Sequence, residues 1–227
     1  MEAGNVILKQ IEIGPMMNYA YLIGCPRTKE AAVVDPAWDV QKILNIASES
    51  GVAIKHILLT HGHPDHMNGV EQLLNATNAI VHLHVDEAAY MREAARTFGI
   101  STDFLAKRPE NIHLTKDGDK LLIGDVIAQC IHTPGHTPGS QCFLVEGCLF
   151  SGDTLFVDAC GRVDMPGGEP EKMWHSLNVT LKSLADDIVL YPGHDYGGSP
   201  TSTMGNQKRT NPYMQCDSVQ DFMQAMG

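Results

Sequence analysis

No apolar run in this chain of 227 residues reaches the roughly 20 residues needed to span a bilayer. The opening Met1-Glu2-Ala3-Gly4-Asn5 lacks the basic start and apolar core of a signal peptide. The two absences predict a cytoplasmic protein with no membrane partner. Cations are scarce: 16 Lys and Arg stand against 27 Asp and Glu, a formal net charge of -11. That balance argues against a nucleic-acid partner, which calls for basic stripes. There is no Cys-x-x-Cys pair. Cys25, Cys130, Cys142, Cys148, Cys160 and Cys216 are scattered and read as free thiols in a reducing compartment. Cys130 and Cys142 sit in apolar runs and read as core. Gly-x-Ser-x-Gly and the Gly-Lys-Ser/Thr phosphate loop are also missing, which leaves no competing nucleophile system. Without a linker or low-complexity stretch, residues 1–227 read as one domain.

What is present is a histidine string. Thr60-His61-Gly62-His63-Pro64-Asp65-His66 follows the apolar run 54–59. His61 and His63, two apart on an extended segment, point the same way. Asp65 and His66 follow Pro64, where the chain turns. The pairs His61/His63 and Asp65/His66 therefore face two adjacent points, a ligand supply for two metal ions a few ångströms apart. Three more candidates stand where strand-like runs stop: His136 in His132-Thr133-Pro134-Gly135-His136, Asp153 in Ser151-Gly152-Asp153-Thr154, and His194 in Pro192-Gly193-His194-Asp195. Loops at strand ends are where a rigid scaffold carries function. Of the other histidines, His82 and His84 read as strand-edge or surface residues and His132 as a loop histidine.

The periodicity predicts strands over 6–13, 19–24, 31–35, 54–59 and 80–85, and a helix over Val40–Glu49. Asn68 is expected to cap a helix over 69–74, and Asp86 one over 87–96; 98–111 reads as loop. Hairpins are expected around Gly124-Asp125 and Glu146-Gly147. Glu169-Pro170-Glu171 opens a helix to about residue 184, 188–191 is the last clear strand, and 218–226 is a terminal helix.

These motifs resemble those of metallo-β-lactamase-fold hydrolases, within that superfamily glyoxalase II and its persulfide dioxygenase relatives. The likeness extends from Asn18-Tyr19-Ala20-Tyr21-Leu22 to Asn211-Pro212. It implies an α/β fold, a four-layer αβ/βα sandwich with the metals at one edge. It implies a first ion on His61, His63 and His136, a second on Asp65, His66 and His194, and Asp153 bridging them with a water or hydroxide between. Zinc is the first expectation for the two divalent ions, with iron or manganese as alternatives. Asp65 would serve as ligand and proton acceptor.

The expected reaction is metal-assisted hydrolysis of a small-molecule thioester, such as a hydroxyacylglutathione. Mononuclear-iron oxidation of glutathione persulfide is the alternative, and β-lactam or lactone hydrolysis follows after it. In glyoxalase II a Cys-Gly-Lys or Cys-Gly-Arg turn meets glutathione; here it is Cys160-Gly161-Arg162-Val163-Asp164. Arg162 is expected to grip an anionic thiol carrier, Cys160 to touch substrate, and Lys208 and Arg209 to be further carboxylate holders. Val163 and Asp164 stand where the family usually has an aromatic residue. A homodimer is left open.

Overall fold

Strand-forming apolar runs alternate with amphipathic helices through the first half of the chain, and hairpins dominate the second; this division builds two sheets. The computed structural model describes residues 2–3, 6–98 and 102–227. The first sheet follows chain order: β1 (Glu2–Ala3), β2 (Val6–Ile13), β3 (Asn18–Gly24), β4 (Glu30–Val34), β5 (Ala53–Leu58), β6 (Ile80–His84) and β7 (Ile112–Thr115). Pairing is antiparallel up to β4 and parallel from β4 to β7. Parallel neighbours need crossovers. These are α1 (Val40–Glu49), α2 (Pro64–Met67) with α3 (Val70–Thr77), and α4 (Val85–Phe98) with α5 (Phe104–Lys107).

The second sheet contains β8 (Lys120–Ile123), β9 (Val126–His132), β10 (Gln141–Val145), β11 (Cys148–Gly152), β14 (Val189–Pro192) and β15 (Ser202–Thr203). Its spatial order is β15-β14-β11-β10-β9-β8. Both expected hairpins form: Ile123 pairs with Val126, and Val145 with Cys148. A small hairpin of β12 (Leu155–Phe156) and β13 (Ala159–Cys160) follows β11.

Three apolar cores separate four layers. Between the sheets lie Tyr21, Ala32, Val34, Leu58, Cys130, Phe143, Phe150 and Tyr191. Outside the first sheet, Ile57, Val81 and Leu83 pack under Val40, Ile43, Leu73, Leu74 and Met91. Outside the second, Cys142, Leu149 and Leu190 pack under Met173, Leu177, Leu181, Met204 and Phe222. This is the αβ/βα sandwich. Helix α1 shows the local logic: Val40, Ile43 and Ala47 are buried on one face, and the Asp39 carboxylate accepts from the Lys42 amide at its start. Asp39→Ala would remove that cap at a cost of about 1 kcal/mol.

Several expectations change. Asn68 ends α2 and accepts from the Trp38 amide, while Gly69 precedes α3. Asp86 lies inside the first turn of α4. The segment read as loop over 98–111 holds α5 and a 3-10 turn (Pro109–Asn111); residues 99–101 lie outside the described residues. Strand β7 was hidden by the alternation His113-Leu114-Thr115, which is short and half polar. The helix opened by Pro170 runs as α6 (Pro170–His175), then a π-helical stretch (Ser176–Thr180) and a 3-10 turn (Leu181–Ser183). Helix α7 (Met204–Thr210) was not foreseen; the terminal helix forms as α8 (Val219–Met226), capped by Ser218. His82 and His84 are buried within the sheet, not at its edge. His82 bridges His56 and His113 at 3.0 and 2.9 Å.

Among the described residues no helix is long and apolar enough to cross a membrane.

Candidate metal centre

Four strand ends converge at one edge of the sandwich. Residues 60–66 leave β5, 133–139 leave β9, Asp153 follows β11 and His194 follows β14. Glycine permits the closeness at Gly193, where a Cβ would sit 2.5 Å from Asp153 Oδ1. His61, His63, His66, His136 and His194 are all buried.

Two ligand sets form. His61, His63 and His136 bring ring nitrogens within 4.8 Å of one another, and so do Asp65, His66 and His194 with their ligand atoms. In the first set His63 Nδ1 lies 3.1 Å from His61 Nε2 and 2.9 Å from His136 Nε2. In the second, His66 Nε2 and His194 Nε2 are 3.1 Å apart, and each is 3.4 Å from Asp65 Oδ2. Asp153 stands between them: Oδ1 is 3.2 Å from His66 and 3.5 Å from His194, and Oδ2 is 3.5 Å from His136.

The outward nitrogens determine the tautomers. His136 Nδ1 donates to the Arg162 carbonyl at 2.7 Å and His194 Nδ1 to the Met16 carbonyl at 2.9 Å. His66 Nδ1 donates to Asp35 Oδ2 at 3.0 Å. The Thr60 hydroxyl is already committed to Asp35 at 2.6 Å, so it accepts from His61 Nδ1 at 3.0 Å. Tyr90 donates to the Pro166 carbonyl at 2.7 Å and faces His63 Nε2 at a longer 3.5 Å. With each outer nitrogen carrying the proton, each inner one presents a lone pair. Lone pairs facing each other across about 3 Å repel unless a cation or proton lies between them. Asp153 Oδ1 is likewise buried without a hydrogen-bond partner. The donor set fits divalent transition metals: one site of three imidazoles, another of two imidazoles and a carboxylate, and a shared carboxylate.

The electrostatics divide along the same line. Burial lowers His61 and His136 below the usual imidazole range and takes His63 down to about 3, so the first set is neutral. Burial also opposes charge on His66, but Asp153 and Asp65 outweigh it and raise its pKa well above the ordinary value. His194 is likewise raised, to about 9, by its contacts with Asp153 and Asp65 against the burial penalty. For Asp65 and Asp153 burial works upward, and the neighbouring His66 and His194 more than reverse it, holding both carboxyls below the usual range.

Sequence reasoning missed the supports. Asp35 also accepts from the Thr60 amide at 2.8 Å, and the Asn18 amide group donates to Asp65 Oδ2 at 2.9 Å. Glu87 accepts from the Gly62 amide at 2.6 Å, the Thr137 hydroxyl at 2.7 Å and the Gly139 amide at 2.9 Å. Asp35, at the end of the Ala31-Ala32-Val33-Val34 run, carried the same strand-end signal as Asp153. Glu87 carried none. Another candidate cluster, His84, Asp86 and His132, also lies within 4.8 Å. Its two imidazoles stack at 3.8 Å and 12°, so both rings cannot aim a lone pair at one ion without turning.

The centre opens into a cavity of ≈ 560 Å³ walled by Met16, Trp38, Phe156, Met165 and Tyr196. Cys160 and Arg162 line it, as their sequence positions suggested. The Arg162 guanidinium, however, is bidentate on Asp164 at 2.6 and 2.7 Å. Cys160 is half-buried with its thiol pushed up to about 12 by burial, so it is no nucleophile. Lys208 and Arg209 do not line the cavity. Helix α7 directs Lys208 to the Leu184 carbonyl and to Asp186 at 2.7 Å, which corrects its expected role as a carboxylate holder. Arg209 is exposed on the same helix and, like Lys208, lies outside the cavity lining.

The chain is similar to known proteins over most of its length. A probable polyketide biosynthesis zinc-dependent hydrolase of Bacillus subtilis is 34% identical over 206 residues, 91% of this chain and 85% of its own length. A probable hydroxyacylglutathione hydrolase of Schizosaccharomyces pombe is 29% identical over 247 residues, 92% of this chain and 87% of its own. The crystal structure of ETHE1 from Myxococcus xanthus superposes with a TM-score of 0.83 at 30% identity, covering 97% of this chain and 89% of that one; the human protein of that name is a persulfide dioxygenase. Residues 13–194 match the family pattern itself, and the chain belongs to the metallo-beta-lactamase superfamily.

Proposed function

We propose that this protein is a hydrolase of acyl thioesters that holds two divalent metal ions, zinc first among them. The observation that carries the proposal is the pair of ligand sets joined by Asp153. His61, His63 and His136 would hold one ion, Asp65, His66 and His194 the other, and Asp153 both. When bound, such ions make water a nucleophile near neutral pH and polarise a carbonyl. The rest falls to the chain. Thr60, Asp35, Tyr90 and the carbonyls of Met16 and Arg162 hold the imidazoles in the ligand tautomer. Asn18 donates to Asp65 Oδ2 and orients this carboxylate towards the second ligand set. Trp38, Phe156 and Tyr196 give the cavity an aromatic wall.

A thioester suits this wall. A thiolate departs near neutral pH without a proton, as an ordinary thiol pKa of about 8.5 allows. The Cys160 thiol beside the centre is too weak an acid to serve an amide leaving group. Among the described residues lining the cavity, Arg162 is the one Lys or Arg, and Asp164 holds it. Glutathione brings two carboxylates. One cation beside one acid gives the cavity mouth no net positive charge whether or not the exposed pair opens, which favours a thioester on a neutral carrier over the glutathione conjugate that the Cys160-Gly161-Arg162 turn suggested, and disfavours glutathione persulfide for the same reason. The test is elemental analysis of the purified protein, with turnover of a neutral acyl thioester, a glutathione thioester and glutathione persulfide compared side by side. Two ions and thioester turnover are expected. One iron with oxygen uptake on the persulfide would replace this reading with the dioxygenase one.

A further inference from the structure

A second cavity, ≈ 470 Å³, lies beside the metal cavity and shares Arg162 with it. Its other walls are Val163, Asp164, Pro170, Met223, Met226 and Gly227. The partition between the two is thin. It consists of the Arg162 side chain and a contact of 3.8 Å between Cys160 Sγ, on the metal side, and Met226 Sδ, on the far side. Nothing in the reaction chemistry uses this space. We propose that it is a substrate subsite for a flexible aliphatic arm extending from the scissile thioester.

The chemistry of the walls selects that occupant. Among the described side chains, Asp164 is paired with Arg162, and Val163, Pro170, Met223 and Met226 are apolar, so they offer no unpaired cation to a carboxylate or phosphate. Met223 and Met226 are unbranched and polarizable, and they adapt to a chain that can adopt many shapes. The lip is part of the fold. Helix α8 is capped by the Ser218 hydroxyl and anchored by buried Phe222, while Met223 stays 55% exposed. An exposed methionine that lines the chamber from an anchored helix is free to close on a ligand without repacking the core. The Arg162–Asp164 pair is a surface pair, cheap to swing aside. At ≈ 470 Å³ the chamber has the size of an ordinary small-molecule site.

The identity of the molecule that carries the arm rests on the thioester-hydrolase reading, so the test separates the two. The metal-loaded full chain is titrated calorimetrically with non-hydrolysable S-alkyl N-acetylcysteamines from ethyl to octyl. Affinity is expected to rise roughly three- to four-fold per methylene. The slope should flatten in Met223→Trp, which fills the chamber, and in Met223→Asp, which charges it. An affinity independent of chain length in the parent protein, or a slope that both variants keep, overturns the subsite. Turnover is then measured with acyl chains of rising length on one neutral thiol, and with one acetyl group on thiols of rising length, to show which side of the sulfur carries the arm. Turnover with length-independent binding sinks the subsite alone. Length-dependent binding without turnover of any thioester sinks the hydrolase reading and leaves the subsite standing.

Discussion

Glu87→Ala tests how the metal loops are held. The carboxylate is 1% exposed and ties Gly62, between His61 and His63, to Thr137 and Gly139, which closely follow His136 on its loop. Alanine strands two buried backbone N–H groups, at about 1–3 kcal/mol each. The Thr137 hydroxyl has an alternative partner, Ser140 Oγ at 2.8 Å. Against this loss stands a relief. Burial is the largest influence on Glu87 and raises its pKa from 4.5 to about 7, the donors around it recovering only part. At about 1.4 kcal/mol per unit, ionising it in the folded state costs about 3 kcal/mol above pH 7. The two effects nearly cancel at pH 8, so global stability should fall there by no more than about 3 kcal/mol. The sign of the linkage is definite: a raised carboxyl pKa stabilises below 4.5 and that contribution is lost as pH rises through about 7. The variant should therefore lose more stability, relative to its parent, at pH 5 than at pH 8. What does not cancel is geometry. Loosening both loops should weaken metal binding by roughly 10- to 100-fold, the usual cost of losing a support behind a ligand. Urea unfolding at the two pH values reads the first effect, and competition with a chromophoric chelator reads the second. Parent-like metal affinity in the variant would refute the clamp, as would a loss no larger than the drop in folded fraction explains.

Asp153→Ala removes the carboxylate that faces the inner nitrogens of both ligand sets, so elemental analysis should find fewer than two ions and turnover should be lost; a variant with full metal and activity would contradict the constellation. The metal-free protein should be most stable near pH 6.5. Above it, the raised pKa of His194, about 9, makes its contribution disappear as pH rises; below it, buried neutral His61, His63 and His136 let only the unfolded chain take up protons. Thermal melts from pH 5 to 9 with a chelator present check this, and a monotonic profile would refute it. Lys208→Ala should lower stability by at most about 1 kcal/mol and leave the Michaelis constant unchanged, because its ammonium serves Leu184 and Asp186 outside the cavity. A raised Michaelis constant would restore its role in substrate binding.

Much of the centre could be read from the chain because its residues obey local rules. His61, His63, Asp65 and His66 occupy seven consecutive positions with Thr60, Gly62 and Pro64, where strand alternation and a proline turn set their relative directions. His136, Asp153 and His194 each stand just past an apolar run, beside a glycine. Helix α1 has the predicted limits because its apolar stripe and Asp39 cap lie within one segment. Tertiary structure alone decided the rest. Glu87 meets Gly62 and Gly139 at separations of 25 and 52 residues, and Asp35 meets His66 at 31. No local pattern encodes such a meeting. Alternation along β6 was visible, but a period of two is the same whether His82 and His84 face water or a second sheet; only the packing of the sheets buries them. Arg162 and Lys208 show the same limit for charge. A sequence displays a cation, and the fold chooses its partner, here Asp164 and Asp186, because pairing depends on which carboxylate lies within reach once the backbone is placed.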